Sequence, residues 1–508
     1  MSSAGSILAG LGLWLLAASP GGATALHQPE PAALEELHRL LARADMPAAL
    51  EAAERLARRH PAAPAPQLHQ IGTLFWSSLM DRDRKDLAAR GEAAADALRA
   101  RAEAELQRSP TDPMLLYHAG MAAHYQARFR GLRRSWIGLV SSARASHGLL
   151  RRALAADPAL ADARIALAVY DITMDVLPGY FKLLRPFLFL PSGDKERGMQ
   201  SLREAADRAE CQGLEAKVLL AAFSYELDRE PETAQRQVDR LAADHPDNPW
   251  LRLWRASNAQ VLDRDSAAAL AELDEVDRLL QRRRSPFDRE LVARAAVERA
   301  CALLELGEIE TAERGLQALL AEGIERPFRV VGTARWLLAR LLLMRGDSAA
   351  AREQVERIAA IKELEELAKD FLRHPPEPRW GELDRRVAIA RRRAEGGNLR
   401  AAERALEEAN QRWGANPVSA AQRARWRLEQ GDRRGAGALL EPWANGALEA
   451  APAWTQAELL LLAARVADLE GRREAARKLY ERVLELSAPA ENAYARADLG
   501  RDLAISKR

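Results

Sequence analysis

The chain has 508 residues and a formal net charge of +2, which excludes a strong global pull toward nucleic acid or an anionic surface. Apolar residues make up 48%, charged residues 29% and aromatics only 5%, a balance that suits close-packed, Ala- and Leu-rich helices better than sheets. Of the 75 basic residues, 67 are Arg, spread over the whole chain, and the two cysteines, Cys211 and Cys301, lie too far apart in sequence to suggest a disulfide.

Residues 1–25 carry no charged side chain. An apolar run at 7–18 is broken by Ser-Pro-Gly-Gly and followed by Ala23-Thr24-Ala25, which reads as a secretory leader cleaved near Ala25, although the usual basic residue near its start is missing. The run is shorter than the roughly 17 residues needed to span a bilayer, and no Cys follows it to carry a lipid. The expectation is a periplasmic or secreted protein.

Residues 26–210 read as helical hairpins. A pair at 32–60 turns at Asp45-Met46-Pro47, with Ala49 and Leu56 in a register that recurs later. Residues 61–66, rich in Pro, read as a stiff connector. Helices are expected at 67–80, 86–108, 114–129, 132–156 and 160–173. The stretch 176–191 then gathers Tyr180, Phe181, Phe187 and Phe189 with three prolines and two charges. Two readings are open: an insertion that plugs the inner face or a seam, or an exposed apolar strap that docks on lipid or a partner. Asp194 caps the next helix, 195–209, in which Gly198 and Leu202 take the recurring register.

Residues 211–488 repeat one helix-turn-helix pattern seven times. The second helix opens on Ala234, Ala269, Ala312, Ala351, Ala402, Ala436 and Ala476. Twelve residues upstream stand Ala222, Ser257, Ala300, Ala339, Ala390, Ala424 and Ala464. Four downstream stand Val238, Leu273, Leu316, Val355, Leu406, Leu440 and Tyr480. In the last five copies a Gly precedes the Ala by five. Small residues where helices touch and large ones where they interlock form the tetratricopeptide pattern. The longest interval holds an added helix at 361–373, and residues 489–508 form a polar helix suited to cap the array. The fold expected is all-α, a tetratricopeptide-type α-solenoid wound as a right-handed superhelix of hairpins.

Leu177-Pro178, Lys182-Leu183-Leu184, the run from Gly193 to Gly198 and Leu202 resemble the signature segment of the inclusion-body-clearance / tetratricopeptide-repeat protein 39 family. The likeness covers about thirty residues, and this chain adds residues 185–191 before the Gly-Asp pair. The resemblance implies a non-enzymatic helical adaptor and brings no catalytic residue with it.

No phosphate-binding Gly loop, nucleophile elbow or zinc-type Cys/His spacing is present, so neither enzyme nor cofactor is expected. His118 and His124, six apart, face different directions on one helix and make no metal pair. The Arg triplets at 282–284 and 391–393 lack interleaved aromatics, which argues against nucleic acid as a partner. One column stands out. The residue after the small position of each first helix reads Phe223, Asn258, Cys301, Arg340, Arg391, Arg425 and Arg465. Facing a concave groove, those four arginines would be a ladder of planar bidentate donors for an acidic protein segment. The function expected is a scaffold that binds such segments. The alternative is a membrane-surface module using the stretch at 176–191.

Overall fold

The computed structural model describes residues 30–81, 84–177, 190–209, 213–283, 285–325, 328–362, 364–444, 451–486 and 491–502. Among these there are only helices and turns, and no helix is long and apolar enough to cross a membrane.

In chain order the helices are α1 (Pro31–Ala42), α2 (Met46–Arg59), α3 (Pro64–Met80), α4 (Lys85–Leu106), α5 (Pro113–Leu132), α6 (Trp136–Ala156), α7 (Ala161–Val176) and α8 (Lys195–Arg208). The repeats then supply α9 (Gly213–Glu226), α10 (Pro231–Asp244), α11 (Pro249–Asn258), α12 (Ser266–Arg283), α13 (Arg289–Leu306), α14 (Ile309–Ala321), α15 (Phe328–Met344) and α16 (Ser348–Ile358). They continue with α17 (Glu365–Arg373), α18 (Pro378–Glu395), α19 (Leu399–Trp413), α20 (Pro417–Glu429), α21 (Arg433–Ala444), α22 (Ala453–Leu469), α23 (Arg473–Glu485) and α24 (Glu491–Asp502). A π turn, Ala259–Asp263, extends α11, and a 3-10 turn, Pro286–Asp288, precedes α13.

Two expectations are corrected. The Pro-rich connector is largely helix: Pro64 and Pro66 open α3, in a first turn where a missing N–H and a fixed φ cost nothing. The turn between α5 and α6 falls at 133–135, because α5 runs on to Leu132 before Arg134 adopts φ 58°.

Cα packing divides the chain into two compact units. One comprises residues up to Arg252 together with 275–290; the other comprises 253–274 and 291–508. The repeat register crosses that division unbroken. All seven Ala that open second helices are at most 1% exposed, and all seven large residues four positions on are at most 2% exposed. Their upstream partners are buried too, apart from half-buried Ser257. Each turn between paired helices ends in the left-handed region five residues before the Ala. The five glycines there have φ of 76–82°, while Arg229 and Arg264 in the first two copies have φ 55° and 56°. Ala44, at the same place in the α1–α2 hairpin, has φ 59°. A left-handed residue is the common way to turn the chain out of a helix, and glycine adopts it at least cost.

In the first unit, Phe75, Tyr125 and Phe129 cluster between α3 and α5. The guanidinium of Arg128 lies 4.1 Å over Phe75 and pairs with buried Glu215 at 2.8 Å. The Gly193–Gly198 segment is held tightly on α7. A Cβ on Gly193 would lie 2.2 Å from the Asp171 carbonyl, and one on Gly198 2.6 Å from Ile172. Arg197 donates twice to the Asp171 carboxylate, at 2.9 and 3.0 Å, and Asp194 caps α8 through the Arg197 N–H. The Gly193–Gly198 part of the resemblance thus falls on residues that fix one helix–helix contact, whereas Pro178 and Lys182, Leu183 and Leu184 lie outside the described residues.

In the second unit, α24 does more than cover an open end. It packs on α22 and α23 and reaches the π turn Ala259–Asp263, where Arg496 donates to the Gln260 carbonyl at 2.5 Å. The unit closes on itself, so the inner faces of its first helices surround a cavity.

Candidate functional site

The cavity has a volume of about 100 Å³. Uncharged side chains, among them Leu337, Met344, Val387 and Leu461, supply part of the wall, and eight charged side chains line the rest. Arg340 comes from α15, Arg391 from α18 and Arg425 from α20; these are three of the four arginines of the sequence column, carried inward by the same face of successive first helices. Arg264 joins them from the turn after α11, and Arg496 from α24. The carboxylates are Glu305, Asp384 and Glu458. Asp384 and Glu458 stand seven residues before Arg391 and Arg465, two helical turns along the same face.

The arginines are not an open ladder in water. Arg340 Nε lies 3.3 Å from Asp384 Oδ2, an oxygen that also accepts from Trp454 Nε1 at 2.8 Å. Arg391 donates to Glu458 at 2.7 Å and to Gln422. Arg425 shares Glu458 at 3.1 Å and sits 3.8 Å from Glu305. Arg496 reaches the other Glu305 oxygen at 3.2 Å. Three of the four arginines expected to face a groove thus form part of a largely enclosed, internally paired cluster. Closure of the second unit by α24 is the physical reason.

The pairing is incomplete. Five arginines face three carboxylates, and Arg264 makes no side-chain hydrogen bond or ion pair with any described residue. Burial, and then the guanidiniums of Arg496, Arg465 and Arg425, press the pKa of Arg264 well below its usual range. Burial alone would raise Glu305, yet Arg496, Arg425, Arg391 and Arg264 together bring it down to about 2. Glu458 is likewise lowered, by Arg391, Arg425 and Arg340 against its burial. Both carboxylates stay ionised at neutral pH, and the field around them remains positive. Arg465, the fourth residue of the column, is not part of the cavity wall; its buried Nε has no hydrogen-bond partner.

Of the other residues singled out in the sequence, Cys301 lines the cavity, whereas Cys211, Tyr180, Phe181, Phe187 and Phe189 lie outside the described residues. His118 is buried on α5, and burial also presses His124 well below its usual pKa.

No protein-family model and no curated protein matches the chain. Among solved structures it is similar to a tetratricopeptide repeat protein from Parabacteroides merdae, at 16% identity over 56% of this chain and 98% of that one, with a TM-score of 0.24. Yeast Tom70 aligns at 14% identity over 87% and 89%, with a TM-score of 0.31. A human IFIT1 dimer with m7Gppp-AAAA aligns at 16% identity over 91% of each chain, with a TM-score of 0.33. Scores this low leave the fold resting on the chain's own geometry: paired helices, three buried columns and a left-handed turn at one register position make it an all-α protein of the tetratricopeptide type.

Proposed function

We propose that the protein is an exported, non-catalytic adaptor of the tetratricopeptide type whose second unit captures a carboxylate on a protein partner. The observation that carries this is the surplus of guanidinium charge around one cavity, with Arg264 in hydrogen-bond or ion-pair contact with no described residue. A carboxylate entering there would meet planar donors held in place by their own ion pairs, so little ordering entropy is lost on binding. The cavity has room for an acidic side chain or a chain terminus. Recognition is then of a single carboxylate, with the flanking segment resting outside. Within the superfamily, the 177–202 segment favours the inclusion-body-clearance / tetratricopeptide-repeat protein 39 group. Residues 1–25 favour the periplasm or the exterior as its place of work, with a mature chain starting near Leu26.

Calorimetry with tri-glutamate and tri-glutamine tests the reading. Tri-glutamate should bind and tri-glutamine should not. Arg264→Asn should weaken binding roughly tenfold or more, the worth of a charge-assisted contact, while Arg404→Gln on α19 changes nothing. Equal behaviour of the two peptides, or of the two variants, overturns it. Intact mass of the exported protein tests the leader: a retained Met1 or a lipid-sized increment counts against it.

A further inference from the structure

The hairpin of α5 and α6, in the first unit, has a composition unlike the rest of the chain. Residues 113–156 contain seven arginines and no Asp or Glu, in a protein whose charges otherwise nearly cancel. Arg130 and Arg133 are neutralised by Glu92 of α4, at 3.0 and 2.6 Å, and Arg128 by Glu215. Arg134, Arg144 and Arg151 are exposed, and their side chains make no ion pair or hydrogen bond with any described residue.

The tip of the same hairpin is apolar. Of four large hydrophobic side chains exposed among the described residues, three are here: Leu132 at 40%, Trp136 at 58% and Ile137 at 89%. The exposed stripe of α6 runs Ile137, Ser141, Arg144, Gly148, Arg151 and Ala155, alternating steps of four and three that keep one face outward. Between its arginines that stripe carries only small side chains, so the helix can lie flat on a plane.

We propose that this face docks on an anionic lipid surface, with Trp136 and Ile137 entering the headgroup boundary and Arg134, Arg144 and Arg151 meeting lipid phosphates. Three features select a membrane. Tryptophan prefers the interface between water and hydrocarbon, where its ring is half solvated. An isoleucine almost wholly in water is costly unless something apolar covers it. The single aromatic stands at one end of the arginine row and not interleaved with it, which offers no stacking platform for bases. The proposal rests on this hairpin alone and not on residues 176–191. It is independent of the carboxylate site, which lies in the other unit.

Vesicle sedimentation of the chain from Leu26 onward tests it, with pure phosphatidylcholine against a mixture with phosphatidylglycerol. The protein should bind the mixture and not the neutral vesicles. The doubles Trp136→Ser/Ile137→Ser and Arg144→Gln/Arg151→Gln should each lose roughly tenfold or more in partitioning, since every arginine near an anionic surface counts for several-fold. Arg400→Gln/Arg404→Gln, an equal change of charge on α19, should partition like the parent. All of these positions are exposed, so unchanged circular dichroism should accompany each loss, and tri-glutamate binding should be untouched. Equal binding to both lipids, no binding to either, or unaffected doubles would overturn the proposal. Binding of a single-stranded oligonucleotide with the same arginine dependence, without vesicle binding, would assign the face to nucleic acid instead.

Discussion

Arg264 and Arg496 line the same cavity, yet of the two only Arg496 is in ion-pair contact with Glu305, at 3.2 Å. Arg264 also holds a left-handed backbone, φ 56°, where five later copies of the repeat have glycine. It is thus doubly unfavourable for the free protein: a buried charge among other guanidiniums that touches no carboxylate, on a strained backbone. Such a residue is what a site for an anion requires, since the ligand supplies the contact that no carboxylate of the protein makes.

The consequence is a trade between stability and binding. Arg264→Asn keeps a residue that tolerates the left-handed region and removes the cation. It should stabilise the free protein by on the order of 1 kcal/mol in a urea titration, while weakening carboxylate binding. A residue serving only the fold would lose stability on substitution, so a destabilised Arg264→Asn would contradict the assignment.

Much of this was legible in the sequence, and the rest was illegible for a definite reason. The three columns name buried residues because a helical face repeats locally, and the glycine column names a turn that needs positive φ. Aligning the copies would also have marked Arg229 and Arg264 as residues in a glycine's place. Asp384 and Glu458 were readable too, as carboxylates two turns before an arginine of the column. The approach of Arg496 to Gln260 was not: those residues are 236 apart, and their meeting depends on how several hairpins close.

Two glycines of one column should respond differently to the same change. At Gly346, φ 82°, an added Cβ meets nothing within 4 Å, so Gly346→Ala should cost only the left-handed strain, about 1–2 kcal/mol. At Gly307, φ 80°, the Cβ would lie 2.1 Å from the Ala388 carbonyl oxygen, so α18 must also move. Denaturant titration should rank Gly307→Ala clearly below Gly346→Ala. Equal losses would mean that the approach of α18 to this turn is looser than described.

The small column should tolerate no bulk. Ala390 and Ala424 are 0% exposed, and Ala→Leu at either should overpack the hairpin contact and cost about 1–3 kcal/mol. Ala349→Leu, exposed on α16, is the matched control and should stay within about 0.5 kcal/mol of the parent. Because repeats couple mainly to neighbours, the damage should also broaden the transition.

Mild acid should loosen the first unit before the second. His38 on α1 and His118 on α5 are buried, and burial lowers each from 6.5 to about 4. Their unfolded forms bind protons below about pH 6.5, whereas the folded forms stay neutral until about pH 4. The stability they contribute is therefore complete above that upper value and is lost as pH falls toward the lower one, by about 1.4 kcal/mol per unit for each histidine. In the second unit the shifted groups that titrate in acid are carboxylates, of which Glu429 is raised by burial and two others are lowered. Glu305 falls to about 2 and Glu458 is lowered, so their contribution is present above pH 4.5 and lost only below it. Hydrogen exchange followed by mass spectrometry between pH 7 and pH 5, corrected for intrinsic rates, should show protection falling in α1, α3 and α5 while α13, α18 and α22 hold. His38→Leu removes a buried ring whose Nε2 has no hydrogen-bond partner, and should flatten the pH dependence of the first unit. Loss of protection in both units at the same pH, or an unchanged slope in His38→Leu, would place the acid sensitivity elsewhere.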